Sequence, residues 1–228
     1  MSDRTRLLLV GHGRMGRLVA SLCGEYGFEL TGSVDRALAQ HADHWPEADV
    51  AIDFSTGDAV PANLPRLAAR GTSIVVGTTG WQAQERALRE TVAAYDVGVV
   101  AAPNFALGVN IFLAVAERAA ALTSRQDAFG AWIHELHHAA KRDAPSGTAL
   151  AIERAVRAGG FTGPVPIAST RAGSIPGTHT LGFDAAAETI TLTHEARDRS
   201  AFARGSLEAA RWVIGKRGWF SMRDVIGL

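Results

Sequence analysis

The stretch from Glu135 to Thr148, ELHHAAKRDAPSGT, holds the residues of this chain best suited to chemistry. The chain has 23 basic residues, and only Lys141 and Lys216 are lysines. One of these two ammonium groups therefore stands three positions after the pair His137-His138 and just before a Pro-Ser-Gly-Thr turn. If a strand ends at His137, the two imidazoles point to opposite sides. Lys141, four positions after His137, shares a face with it in a turn or helical loop. Ser146 suits a helix cap, and the N–H groups near Gly147 and Thr148 would point outward from the helix start, an end that favours anions. An ammonium, imidazoles and a helix N-terminus on one loop make a carboxylate site. Lys141 or a histidine could also donate a proton, if its surroundings tune its pKa. Each feature alone has a plainer reading: a histidine satisfied in core or surface, a solvated lysine, a good helix entry. A metal site built from His-His and Asp matches no strong zinc spacing and lacks a third ligand, so no metal ion is expected.

A second motif is VGHGRMG. Gly11, Gly13 and Gly16 have the spacing G-x-G-x-x-G after an apolar run and before a helical pattern, with His12, Arg14 and Met15 between them. Gly11 permits the tight turn, Gly13 lets backbone approach a pyrophosphate, and Gly16 lets helix and strand pack closely. Asp35 follows Gly16 by nineteen positions, where a carboxylate accepts hydrogen bonds from the adenosine ribose hydroxyls. Asp35 favours NAD. Arg36 and Arg14 offset its repulsion of a 2′-phosphate, so use of both NADH and NADPH is expected. DFS, with Phe54 and Ser55, and GTTG, with Gly77, Thr78 and Thr79, fall at the carboxyl ends of expected strands, where open α/β sheets bind ligands. Turn chemistry and capping by Ser and Thr would explain the same residues.

These motifs need a frame. RLLLV, FELTGSV, ADVAIDFS, TSIVVG and DVGVVAAPN read as strands, separated by helical patterns. This alternation predicts a Rossmann-type doubly wound parallel sheet covered on both faces. After Pro103 the rhythm changes. A long apolar helix, a strand into His137, a helix from Ser146 ended by Gly159-Gly160, and three strands with short turns predict a second α+β domain with an open mixed sheet. The expected domains are residues 1–104 with 203–228 for dinucleotide binding, and 105–202 for substrate binding and oligomerisation. Exposed sheet edges and apolar sheet faces need covering, which points to subunit contacts. A cleft between the domains is expected to close over substrate.

Composition excludes several classes. Apolar content of 47% and charged content of 20% describe a folded chain, and a net charge of zero gives no footprint for nucleic acid or an anionic membrane. Cys23 is the only cysteine, so no internal disulfide forms. The N-terminal apolar run is too short for a signal peptide, and no segment has the length of a membrane span. A cytoplasmic protein is expected.

Together GHGRMG, DFS, GTTG, APNFALGVN, ELHHAAKRDAPSGTAL, RAGSIPGTHT and HEARDRSAFARGSLEAARW resemble the dihydrodipicolinate reductase family over nearly the whole chain. The E-x-H-H-x-x-K-x-D-A-P-S-G-T block is far more specific than the glycine loop. The resemblance implies an NAD(P)H-dependent oxidoreductase of lysine and diaminopimelate biosynthesis. Such an enzyme reduces 4-hydroxy-tetrahydrodipicolinate, a cyclic imine dicarboxylate, to tetrahydrodipicolinate with loss of water, and works as a homotetramer. It implies His137 as the active-site histidine, Lys141 as proton donor and His138 as a substrate ligand. Gly147 and Thr148, with the cap Ser146, would hold a substrate carboxylate. The glycine loop, GTTG, and Ala102, Pro103, Asn104 and Phe105 would contact cofactor, with Arg199 and Phe202 near the nicotinamide. The glycine loop is one residue shorter than the family's common G-A-x-G-R-M-G. The rival readings are a related NAD(P)-dependent amino-acid dehydrogenase and an NAD(H)-sensing protein. A sensor has no need of the His-His-Lys loop.

Overall fold

The computed structural model describes residues 4–228; residues 1–3, where the N-terminal run and the first expected domain begin, lie outside the described residues. The chain forms two compact units. One runs to Leu107 and resumes over Phe202–Leu228, and the other is Gly108–Ala201.

The first unit is built on β1 (Thr5–Val10), β2 (Phe28–Val34), β3 (Val50–Asp53), β4 (Ser73–Val76), β5 (Gly98–Ala101) and, from the chain's end, β10 (Gly218–Phe220). All pairs are parallel, in the order β10-β5-β4-β3-β1-β2. Successive strand residues point to opposite faces, and both faces are buried. Leu7 and Leu9 pack in one cluster with Val19 of α1 (Arg14–Leu22) and Leu207 and Val213 of α6 (Ser200–Val213). Leu8 and Val10 pack in the other with Leu64 and Leu67 of α2 (Val60–Ala69) and Leu88 of α3 (Glu85–Val92). Each such side chain, fully withdrawn from water, contributes about 1.5–3 kcal/mol. Gly205 lets α6 lie against the chain at Phe105, because a Cβ there would collide with the Phe105 carbonyl oxygen.

One feature departs from the sequence expectation. The closing WFSMRDVIGL contains a sixth strand, β10, whose three residues are too few to show a period, followed by the short α7 (Met222–Val225). A doubly wound sheet often carries a further strand beyond the second. Here β2 is the edge, and residues 35–49 return to β3 through two single 3-10 turns, Leu38–Gln40 and Ala42–His44.

The second unit has a mixed four-stranded sheet. β6 (Gly130–His137) pairs in parallel with β7 (Ile167–Arg171) and antiparallel with β8 (Thr178–Ala185), which pairs antiparallel with β9 (Glu188–Glu195). Ala131 and Ile133 of β6 and Leu181 and Phe183 of β8 bury one face against Phe112, Ala116 and Ala120 of α4 (Leu107–Thr123) and Ile152 and Val156 of α5 (Gly147–Ala158). The opposite face carries Trp132, His134 and Leu136, with Thr180 and Thr193 alongside. Among the described residues, no helix is long and apolar enough to cross a membrane.

Candidate active site

In the first unit, four loops leave the carboxyl ends of neighbouring parallel strands. Gly11 follows β1 with φ of 94°, and a Cβ there would lie 2.5 Å from the Phe54 carbonyl oxygen. A Cβ on Gly16 would collide with the Gly11 carbonyl oxygen, so only glycine lets α1 start this close to β1. Gly13 is the cap residue of α1 and has open space around it. The first N–H groups of α1 have no partner within the helix. This loop can admit a pyrophosphate, with the roles its spacing suggested. His12, Gly13 and Arg14 are exposed, Met15 is half-buried, and Gly16 is buried. Asp35 and Arg36 are exposed at the end of β2. The Asp35 carboxylate accepts the Ala37 and Leu38 N–H groups on Oδ1, at 3.0 and 2.9 Å, and so closes the turn that replaces a further strand.

The loops after β3 and β4 are fastened together by Asp53, the first residue of the DFS motif expected at a ligand-binding strand end. Asp53 is fully buried. Its carboxylate accepts the Ser55 N–H at 2.8 Å, the Thr78 hydroxyl at 2.9 Å and the Asn63 side-chain amide at 3.0 Å. Its carbonyl accepts the Gly77 and Thr78 N–H groups. The Phe54 ring occupies the place a side chain on Gly77 would need, and meets Phe105 edge-on with centroids 6.5 Å apart. Thr78 is buried and Thr79 exposed. Beyond β5, Pro103 is exposed, Ala102 and Phe105 are buried, and Asn104 accepts the Ala106 N–H on its side-chain oxygen at 2.9 Å. Phe105 belongs to the core, and its ring supports the Phe54 loop.

The second unit assembles the His-His-Lys stretch at the end of β6. Period two puts Ile133, Glu135 and His137 on the covered face, and His134 and Leu136 on the other. Glu135 is fully enclosed and is the pivot. Its Oε1 accepts the Ser169 hydroxyl at 2.7 Å, the Arg171 guanidinium at 2.8 Å and the Ser146 N–H at 3.0 Å. Burial would raise the Glu135 pKa, but these donors together hold it down at about 2. Its other oxygen, Oε2, faces His137 Nδ1 at 3.3 Å and His179 Nε2 at 3.7 Å. Burial, helped by Lys141 and Arg171, lowers the His137 pKa against the pull of Glu135. Burial and the neighbouring His137 push His179 down to about 4. Both rings are therefore neutral near pH 7.

Ser146 caps α5: its hydroxyl oxygen accepts the Ala149 N–H at 3.1 Å and lies 3.2 Å from His179 Nε2. Gly147 is exposed at the first position of α5, with Thr148 half-buried behind it. Lys141 Nζ donates to both carboxylate oxygens of Asp143, at 2.7 and 2.8 Å, and the Lys141 N–H reaches the His138 carbonyl at 3.0 Å. His138 is half-buried. His137, Lys141, Ser146 and the start of α5 thus share one loop system. Arg199 is exposed at the end of the second unit, and Phe202 opens the returning segment of the first.

The metal site weighed from the sequence was His-His with Asp; the fold instead gathers a different set of ligand-type atoms. Glu135, His137 and His179 bring one ligand atom each within 4.8 Å of one another. Neither His138 nor Asp143 belongs to that group. Glu135, Ser169, Arg171 and His179 were missed as a set because β7 and β8 supply three of them from far along the chain. Glu135 could have been noticed: alternation in IHELH forces a carboxylate onto a buried face.

Residues 5–105 match the family pattern for the dihydrodipicolinate reductase N-terminus, and residues 108–226 that for its C-terminus. The 4-hydroxy-tetrahydrodipicolinate reductase of Rhodopseudomonas palustris strain TIE-1 is 39% identical, over 100% of this chain and 99% of its own length. That of Acidiphilium cryptum is 41% identical, over 95% and 94%. A dipicolinate-bound dihydrodipicolinate reductase from Paenisporosarcina sp. TG-14 shares the fold with a TM-score of 0.80 at 22% identity, over 96% of this chain and 97% of that one. An amine dehydrogenase from Mycobacterium smegmatis shares it less closely, with a TM-score of 0.60 at 10% identity, over 95% and 94%. The fold alone therefore spans several chemistries, and it is the sequence matches over both units that decide between them. On those matches, the chain belongs to the dihydrodipicolinate reductase family.

Proposed function

We propose that this chain reduces 4-hydroxy-tetrahydrodipicolinate to tetrahydrodipicolinate with NADH or NADPH, in lysine and diaminopimelate biosynthesis. The observation that carries the proposal is the loop after β6. There a buried neutral His137 precedes Lys141, and the free N–H groups of a twelve-residue helix begin at Gly147. A dicarboxylate needs such an anion-binding end, and a reducible imine needs a proton source beside it.

A nicotinamide cofactor supplies the hydride when bound. The open space at Gly13 and the clamped Phe54–Ser55 and Gly77–Thr79 loops fit its pyrophosphate and nicotinamide arms. Asp35 keeps Oδ2 for a ribose hydroxyl while Oδ1 closes its own turn, and Arg14 and Arg36 stand exposed to meet a 2′-phosphate. Initial rates with both cofactors test dual use; a preference above about a thousandfold either way contradicts it.

Lys141 donates the proton. It carries an ammonium, whereas burial keeps His137 neutral and so without a proton to spare near pH 7. Gly147 and Thr148 bind one substrate carboxylate through backbone N–H and hydroxyl, and His138 binds the substrate from the strand end. The substrate domain is residues 105–202. Its uncovered sheet face, with Trp132 and Leu136, supports a homotetramer, which light scattering on the purified protein tests. Turnover of the condensation product of pyruvate and aspartate semialdehyde, followed by loss of NAD(P)H absorbance, tests the reaction itself.

A further inference from the structure

Four buried polar atoms near the loop have no hydrogen-bond partner: Glu135 Oε2, His137 Nδ1, His179 Nδ1 and Arg171 Nε. Two of them, Oε2 and His137 Nδ1, face each other at 3.3 Å, at ion-pair distance but off the alignment of a hydrogen bond. Catalytic hydrogen bonds are commonly long before substrate binds and tighten afterwards. The rest of the surroundings constrains Glu135 rather than His137. Oε1 is saturated by Ser146, Ser169 and Arg171, so the carboxylate cannot turn, and Oε2 is aimed at the imidazole. His179 stands edge-on against the His137 ring, centroids 5.0 Å apart at 73°, and is itself tied to the α5 cap through Ser146. On the other side of His137, a Cβ at Gly177 would lie 3.1 Å from Nε2, so that glycine leaves Nε2 uncrowded by a side chain.

We infer that Glu135 and His179 are positioning residues for His137: Glu135 Oε2 accepts the Nδ1–H and fixes the tautomer with a bare Nε2, while the His179 ring stops the imidazole from turning. The inference rests on the reading of His137 as an active-site group. A bare Nε2 can accept a hydrogen bond or a proton from substrate, which leaves proton donation to Lys141. The charged or titratable groups around His137 are Glu135 on β6, Arg171 on β7, His179 on β8, and Lys141 and Asp143 on the following loop, with His194 of β9 beyond His179. The same Glu135, His137 and His179 atoms could ligate a cation, but the Arg171 guanidinium already neutralises the only carboxylate among them.

The test is the full-length enzyme and its Glu135→Gln variant. The amide introduced there can keep its oxygen toward Ser146, Ser169 and Arg171, which turns its NH2 toward His137 and favours the wrong tautomer. The expected result is a kcat lower by ~10²-fold or more, with KM and NADH affinity within about threefold. Loss of the carboxylate also moves the acid limb of kcat/KM to lower pH, because Glu135 raises the His137 pKa. A merely structural role moves neither the limb nor the tautomer. Nitrogen-15 NMR of His137, assigned with a His137→Asn variant, should show Nδ1–H in the wild type and Nε2–H in Glu135→Gln. Glu135→Asp should recover at least about tenfold of the lost kcat. If Glu135→Gln does not fold, the wild-type NMR and a His179→Gln variant, in which His137 loses its fixed orientation and kcat falls, carry the test. A wild-type His137 with Nε2–H, or a folded Glu135→Gln with unchanged kcat, overturns the inference. So does stoichiometric Zn²⁺ that raises activity, which would make the trio a metal site. The NMR needs no substrate, so an enzyme inactive on the dicarboxylate but showing Nδ1–H refutes the proposed reaction and not this inference.

Discussion

His137 Nδ1 lies 3.3 Å from Oε2 of Glu135, a carboxylate with no exposure to solvent and three donors on its other oxygen. That carboxylate stays ionised down to about pH 2. Across any working pH the imidazole thus has a fixed anion behind Nδ1 and Lys141 four residues ahead in the chain. The chemistry assigned to this loop follows from that division between a neutral ring and an ammonium.

Removing either group should slow turnover without emptying the cofactor site. Lys141→Ala and His137→Ala should each lower kcat by ~10²-fold or more, while NADH affinity, measured by fluorescence titration, stays within about twofold. The glycine, Phe54 and Thr78 loops belong to the first unit, whereas both substituted residues belong to the second. Near wild-type kcat in both variants would remove the assigned proton donor.

Stability should fall on mild acidification. The folded pKa of His179 is about 4 against an ordinary 6.5, so the unfolded chain binds more protons between those values and stability rises with pH across that window. The full cost of burying this ring, on the order of 3 kcal/mol, is felt below pH 4 and absent above 6.5. Glu135 acts lower: its stabilisation is present above about 4.5 and lost as pH falls toward 2. Urea unfolding from pH 7 to 4 should show the loss, and His179→Gln should flatten it. An equally steep dependence in the variant would assign the loss to other groups.

How much of this was legible in the sequence depended on range. The parallel sheet was legible because RLLLV, VAID, SIVV and GVVA are apolar on both faces, and local period carries that information. The open mixed sheet was legible from the alternation in AWIHELH and TITLTHE. β10 was not, because its pairing with β5 joins residues more than a hundred positions apart through a three-residue strand. In the glycine loop Gly11 and Gly16 were legible because each answers a backbone collision nearby, whereas Gly13 stands in open space. Glu135 was visible but unassigned, because its donors Ser169 and Arg171 and its neighbour His179 come from β7 and β8 by tertiary pairing alone.

The glycine loop should tolerate no side chain at Gly16. Its Cβ would collide with the Gly11 carbonyl, so Gly16→Ala must push α1 away from β1. Overpacking of this kind costs about 1–3 kcal/mol. NADH affinity should drop at least about tenfold, since the helix start moves relative to the pyrophosphate. Gly13→Ala, with open space around it, should keep the melting temperature within about a degree and still weaken NADH. Unchanged NADH affinity in both variants would place the phosphates elsewhere.

Asp53 should act on cofactor binding without touching cofactor. Asp53→Ala removes the carboxylate that the Ser55 N–H, the Asn63 amide and the Thr78 hydroxyl share, leaving Asn63 only the Ser55 hydroxyl at 3.3 Å and Thr78 only the backbone carbonyl at 3.2 Å, at about 1–3 kcal/mol in all. At about 2–4 °C per kcal/mol in a chain of this size, the melting temperature should fall by several degrees. NADH affinity should fall with it, because the Phe54 and Thr78 loops lose their shared anchor. A destabilised variant with unchanged NADH affinity would show that the clamp serves the fold alone.

The most direct measurement is a coupled assay in which pyruvate and aspartate semialdehyde are condensed in situ and NADH or NADPH absorbance is followed as the chain is added. Consumption of both cofactors should depend on the condensation product and fall ~10²-fold or more in Lys141→Ala. No consumption with the condensation product, together with NAD(P)-dependent turnover of aspartate or another amino acid, would contradict it.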